Sequence, residues 1–288
     1  MTVSRRVFLG VAASAWAART EGFAPQLVVF SKHLPDLNYE ELGKTAKELG
    51  FDGVDLTVRP KGHVPPERAA EDLPRAVDTL RKHGLSVPMI TTEITSATDP
   101  AANPILRAAA SLGIPFFKPG YWKYTTGPVE ARVKEVGADV RRLAMLAAEH
   151  RIAMGLHNHS GAYVGEAVWD TWEMIRDLDP RWTGFYYDPG HAAIEGGLGG
   201  HDVSMRLALP RLKMVAVKDF FWRKEAGGWK SEWCPMGEGA VDWKTALGTL
   251  KEAGYAGPIS VHAEYQTKDM VGSLRKDLAF LRTALGAA

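Results

Sequence analysis

From Gln26 onward the chain alternates between two periodicities. Short runs rich in β-branched and aromatic residues are each followed by a stretch in which apolar residues recur every three or four positions. The first run, LVVFS (27–31), precedes Tyr39, Leu42, Ala46 and Leu49, which share one face of a helix. GVDLTV (53–58) precedes Leu73, Val77 and Leu80, and LSVPMITTE (85–93) precedes NPILRAAASLG. IPFFKPGYW (114–122) leads to a longer helix with Val129, Val133, Val136, Val140 and Leu143 on one face.

The second half repeats the pattern. RIAMGLHNH (151–159) is followed by EAVWDTWEMIRDL, and TGFYYD (183–188) by HDVSMRLAL. LKMVAVKDF (212–220) precedes DWKTALGTLKEAG, and PISVHAEY (258–265) precedes a last helix through Val271, Leu274, Leu278 and Leu281. Several runs are apolar at consecutive positions, as strands covered on both faces are. Eight strand–helix units in about 260 residues predict a single α/β domain, a (β/α)8 TIM barrel over residues 25–288. A doubly wound open sheet usually carries a glycine-rich nucleotide turn after its first strand. SKHLPDLN has none, so no nucleotide cofactor is expected.

Composition adds exclusions. A net charge of +1 gives no electrostatic case for nucleic acid or an anionic membrane. Cys234 is the only cysteine and cannot form an internal disulfide. At the start, SRRVFLG leads into VAASAWAA, with Ala15-Trp16-Ala17 as a cleavage-like site. A twin-arginine head before an apolar run of about a dozen residues, short of the roughly 20 that span a bilayer, reads as a Tat-type export signal over 1–18. The expected location is periplasmic or extracellular, free of the membrane once the signal is cleaved.

In a barrel of this kind the chemistry collects where strands end. Glu93 ends the third predicted strand, Lys118 the fourth, His157 and His159 the fifth, Asp188 the sixth, Lys218 and Asp219 the seventh, and Glu264 the eighth. FYYDPGHAA (185–193) reads either as a Pro-Gly turn carrying polar residues or as half of a site. Alternation puts His157 with His159, Ala216 with Lys218, and His262 with Glu264 on common sides. His262 then lies one layer deeper, where a core histidine is the favoured reading. Trp122, Trp222, Trp229 and Trp233 fall near strand-end loops, where aromatic faces suit pyranose rings and where each also reads as packing.

The ordered markers FDGVDL, GLHNHSG, YYDPGHA, VAVKDF, MGEGAVDW and GPISVHAEY resemble the sugar phosphate isomerase/epimerase family, the xylose isomerase-like TIM barrels. The resemblance covers essentially the whole chain after the signal. It implies one divalent metal held by Glu, Asp, His and Glu on strands five to eight, with Asp188 and Glu264 in the second and fourth places. His157 stands where the first Glu is usual, and Ala216 where the His is usual. A weaker three-ligand site of His157, Asp188 and Glu264 for Mn, Zn or Mg is one expectation. A Lys218 ammonium between the two carboxylates, doing the work of the metal, is the other. His191 matches a substrate-contacting histidine, and Lys118, Glu93 and Trp222 complete the expected substrate contacts.

The expected activity is proton abstraction next to a sugar carbonyl, giving isomerisation or epimerisation of a small carbohydrate. Glu264, His157 and His159 are the candidate bases, and Lys218 or a metal is the electrophile. Two alternatives stand beside it: a lyase or hydrolase of keto-glycosides using the same α-proton, and a non-catalytic sugar-binding barrel. The sequence leaves an oligomer open.

Overall fold

The computed structural model describes residues 22–287, so the signal-like segment 1–18 lies outside the described residues. Eight parallel strands close into a barrel: β1 (Gln26–Phe30), β2 (Gly53–Val58), β3 (Ser86–Thr92), β4 (Phe116–Lys118), β5 (Ala153–His157), β6 (Thr183–Tyr187), β7 (Leu212–Val217) and, later in the chain, β10 (Pro258–Val261). Between β7 and the next helix the chain inserts an antiparallel hairpin, β8 (Asp219–Glu225) with β9 (Gly228–Cys234). The sequence reading placed its tryptophans in loops. Two aromatic-bearing runs, DFFWRKE and GWKSEWC, around Gly227-Gly228 are its sequence signal, with Gly228 at φ 125° allowing the turn.

Helices α1 (Tyr39–Leu49), α2 (Ala69–Lys82), α3 (Ala102–Ser111), α4 (Val129–His150), α5 (Val168–Ile175), α6 (Pro189–Ala208), α7 (Trp243–Glu252) and α8 (Met270–Ala287) alternate with the barrel strands. Leu42, Ala46, Leu73, Val77, Leu80, Val136, Val140, Leu143, Leu274, Leu278 and Leu281 are all buried in one core with the outward faces of the strands. Val129 departs from the expected face. It is the first residue of α4 and is 60% exposed. The local signals are physical ones. Asn38 caps α1 in a reciprocal box with Glu41, and Gly50 closes that helix in the left-handed region at φ 94°.

Inside the barrel, Val28, Met89, Tyr186, Met214 and Ala216 form a small apolar layer. Level with it lies a buried carboxylate, Asp55. It accepts hydrogen bonds from Thr91 Oγ1 (2.7 Å), Ser260 Oγ (2.9 Å) and Tyr186 Oη (3.2 Å). Burial pushes its pKa up to about 6, against the pull of those hydrogen bonds.

Candidate active site

FYYDPGHAA is neither a free turn nor an exposed loop. Asp188 is the N-cap of α6, with Pro189 at the first helical position and Asp188 Oδ1 accepting from the His191 N–H at 3.1 Å. Expected only from His201, the helix already starts here, with a break at Gly197 (φ 63°). A Cβ on Gly190 would lie 2.7 Å from the Lys218 carbonyl oxygen, so glycine lets this helix end rest against the end of β7. Asn158 fastens the same point to β5. Its Oδ1 accepts from the Asp188 N–H at 2.8 Å, and its Nδ2 donates to the Asp188 carbonyl at 3.0 Å.

Asp188 is fully buried and, besides the His191 N–H, meets two groups. Lys218 Nζ and His157 Nε2 each lie 3.2 Å from its Oδ2. Burial alone would favour its protonated form, but Lys218 and the His157 contact outweigh this and hold its pKa below the usual carboxylate range. Lys218 also lies 3.8 Å from Glu264 Oε1, so one ammonium stands between two carboxylates. Glu264 is held in turn by Lys32, 3.2 Å from each of its oxygens. Burial would raise its pKa, yet Lys218 and Lys32 bring it down to about 2.

The histidines are neutral imidazoles, each with a different job. Burial takes His157 down to about 3, against the opposing pull of Asp188. Both of its nitrogens are engaged: Tyr121 Oη lies 2.5 Å from Nδ1, and Nε2 faces Asp188. His157 is thus a bridge from Tyr121 to Asp188, with no free lone pair for a proton. His159 differs. Its Nδ1 lies 2.9 Å from the Ser160 carbonyl and so carries the ring proton, which leaves Nε2 an acceptor on a ring that lines the pocket. His191, expected at the substrate, lies beneath His159 with ring centroids 4.1 Å apart and no exposure. It positions its neighbours. His262 is a buried ring stacked on Phe30 at 4.4 Å, with Nε2 3.0 Å from Tyr186 Oη, and it forms part of the pocket floor.

The pocket at this end of the barrel is a small cavity of about 70 Å³ that opens outward, about 410 Å³ when the space of its open mouth is included. Lys118, Tyr121, His157, His159, Lys218 and Glu264 line it together with Lys32, Arg59 and Thr91. Lys118 lies with Nζ 3.3 Å from the Tyr121 ring centroid, and burial, with Arg59 beside it, holds its pKa well below the usual lysine range. Two expected contacts fall elsewhere. Glu93 turns outward beyond β3 and pairs with Arg59 at 3.7 Å. Trp222 sits on the hairpin past the barrel rim, 45% exposed. The sequence reading missed Tyr121, Arg59 and Lys32. Tyr121 sat inside the quoted run IPFFKPGYW, but nothing in its spacing marked it.

Asp219 also leaves the chemical set. Its carboxylate accepts from the N–H groups of Phe220, Gly237, Gly239 and Val241 and from Trp243 Nε1, at 2.8 to 3.2 Å. It folds the MGEGAVDW segment onto the end of β7. A Cβ on Gly239 would lie 2.1 Å from that carboxylate.

His157, Asp188 and His191 offer ligand atoms within 4.8 Å of one another, the only such group among the described residues and by spacing a His/Asp site for a divalent cation. His191 takes the place expected for Glu264, which the two lysines hold away. The donor chemistry sets a further condition. The Ser160 N–H donates to His191 Nδ1 at 3.1 Å, so the neutral ring carries its proton on Nε2 and offers no lone pair there. The Lys218 ammonium already stands at the Asp188 oxygen that a cation would take. As arranged, these donors fit an ammonium and do not fit a divalent metal.

Solved structures share this architecture at low identity. One is an L-ribulose 3-epimerase, 15% identical, with a TM-score of 0.70 over 91% of this chain and 95% of that one. Another is a 3-keto-D-glucoside 4-epimerase from E. coli, 17% identical, with a TM-score of 0.69 over 90% and 99%. A third is a xylose isomerase-like TIM barrel protein from Mycobacterium smegmatis in complex with magnesium, 18% identical, with a TM-score of 0.70 over 91% and 97%. No curated protein matches the sequence. The model of the family described as xylose isomerase-like TIM barrel matches residues 44–284, and the chain belongs to that family.

Proposed function

We propose that the protein is a carbohydrate isomerase or epimerase that removes the proton next to a sugar carbonyl. The observation that carries this reading is the buried Lys218 ammonium, held between Asp188 and Glu264 and opening on the pocket. An ammonium has three N–H donors; Asp188 at 3.2 Å is within reach of one, and Glu264 at 3.8 Å, an ionic neighbour beyond hydrogen-bond distance, faces a second. The third is available to a substrate carbonyl oxygen.

The chemistry follows from the two acceptors that line the pocket beside Lys218, a neutral imidazole and a carboxylate held by Lys32. His159 Nε2 and the Glu264 carboxylate flank Lys218 from strands three places apart in the ring. One of them takes the α-proton. The C–H electron pair becomes the carbon–carbon π bond, and the carbonyl oxygen becomes an enediolate oxyanion facing Lys218. Proton return to the neighbouring carbon, with the α-hydroxyl proton passing to the old carbonyl oxygen, isomerises, and return from the opposite base epimerises. Asp188 holds Lys218 in place, and Tyr121 and His157 keep Asp188 in place. The family implies a divalent metal, and the magnesium relative holds one, but the donor protons described above leave no step for it here.

The test is solvent exchange. Incubation with a panel of ketoses and keto-glycosides in D2O should place deuterium on the carbon next to the carbonyl of at least one of them, in metal-free buffer. No exchange with any member would overturn the reading. Loss of a glycosidic group in the same spectra would mark the elimination that the same enediolate permits.

Export belongs to the proposal as well, resting on Arg5-Arg6 and the short apolar run after them. Replacing both arginines by lysine should retain the folded protein in the cytoplasm. Unchanged delivery to the periplasm would remove the Tat assignment.

A further inference from the structure

The β8–β9 hairpin has two unlike faces. Phe220 pairs with Trp233, Trp222 with Ser231, and Lys224 with Trp229. Directly opposed residues of antiparallel strands share a face, so these six lie together. The other face is mostly charged, with Phe221 its one exposed aromatic ring, and there Arg223 pairs with both Glu225 and Glu232.

The aromatic face begins at the pocket. Trp233 meets His191 with ring centroids 4.9 Å apart, and Lys218 Nζ lies 4.8 Å from its ring centroid. Phe220 continues the row, edge-on to Trp233 at 6.3 Å and to Trp222 at 5.7 Å. Beyond the rim the row is open to solvent. Trp222 is 45% exposed and Trp229 67% exposed, and Lys224 Nζ stands 6.0 Å from the Trp229 ring centroid. Trp233 and Trp229 lie four positions apart on β9, a run of about 14 Å at ~3.4 Å per residue. Large apolar rings gathered on one exposed face mark a binding surface, since the hydrophobic effect would otherwise bury them.

Three features choose the occupant. The face starts beside the pocket, because Trp233 stands 4.8 Å from Nζ of the pocket residue Lys218, so what lies on it is close to what reacts. It is two strands wide and offers exposed indoles, which suit the C–H face of a sugar ring. Its polar members, Ser231 and Lys224, and the indole N–H groups suit ring hydroxyls. We propose that this face is a carbohydrate platform. The pocket takes the reacting ring, and Trp222 and Trp229 stack on the remainder of a glycoside or short oligosaccharide. The inference rests on the carbohydrate reading of the pocket and names its substrate class.

The experiment is calorimetric titration of the purified protein with glucose, xylose, maltotriose, cellotriose and xylotriose. At least one trisaccharide should bind about tenfold more tightly than its own monosaccharide, the scale of one good aromatic contact. The double variant Trp222→Ala/Trp229→Ala should lose that advantage and bind the monosaccharide as before. Two results would overturn the platform: no trisaccharide outbinding its monosaccharide, or an advantage that survives in the double variant. A wild-type dimer that the double variant dissolves would also overturn it, by assigning the face to a second copy. Binding is read without turnover, so absence of deuterium exchange alongside a trisaccharide advantage would sink the isomerase reading and leave the platform standing.

Discussion

Lys218 Nζ lies 3.2 Å from Asp188 Oδ2, with both side chains almost wholly buried. A buried pair of this kind is costly to break from either side, because the survivor is left charged and unpaired.

The first prediction separates ammonium from metal. Lys218→Met should lower exchange activity by about 10²-fold, the worth of one well-placed electrostatic stabiliser. A chelator should leave the wild type within twofold. Metal analysis of the purified protein should find less than one equivalent. Activity abolished by chelator and restored by a divalent cation would reverse the assignment.

The second concerns the bases. His159→Asn and Glu264→Gln should each reduce exchange by about 10²-fold or more, in the range of a lost general base. Tyr121→Phe should act more mildly and without altering which proton exchanges, because it keeps the ring that lines the pocket and removes only the hydroxyl that holds His157. Full activity in both base variants would move the proton transfer to another group.

The third is a pH effect from Asp55. Its folded pKa of about 6 lies above the unfolded value of about 3.9, so between these limits the folded state keeps a proton that the unfolded state has lost. Stability therefore falls as pH rises from about 4 to about 6, by on the order of 3 kcal/mol for a shift of this size, and is flat above. Asp55→Asn removes this slope. Urea midpoints of variant and wild type should diverge across that window in the variant's favour, and parallel curves would show that Asp55 is ionised throughout. Glu264 works in the opposite sense. Its folded pKa of about 2 lies below the ordinary carboxylate value, so its contribution is present above that value and is lost as pH falls toward 2.

The fourth is structural. Asp219→Ala strands four backbone N–H groups and an indole N–H, and should destabilise the protein by about 3 kcal/mol or more. Asp219→Asn should recover little, because an amide presents one acceptor oxygen where the carboxylate used two. Thermal melts would check both, and a near-native asparagine variant would contradict the network.

The barrel was legible in the sequence because its causes are local. The alternation of strand runs with helical faces comes from burial on opposite sides of each element, and every predicted strand and helix core has its counterpart in the fold. The ring of ionisable groups was legible too, since strand direction fixes which end of each strand reaches the mouth. Four things were not. His157 and His159 are two residues apart on one side, yet one is sealed between Tyr121 and Asp188 while the other keeps a free nitrogen. Asp219 follows Lys218 directly, yet it faces the backbone of a distant loop. His191 is covered by His159, and Trp233 rather than Trp222 meets Lys218. Periodicity assigns a side to a residue. Which partners arrive on that side depends on contacts between segments 30 or more residues apart in the chain, as from His157 to Asp188 and Lys32 to Glu264, and only closing the barrel makes them.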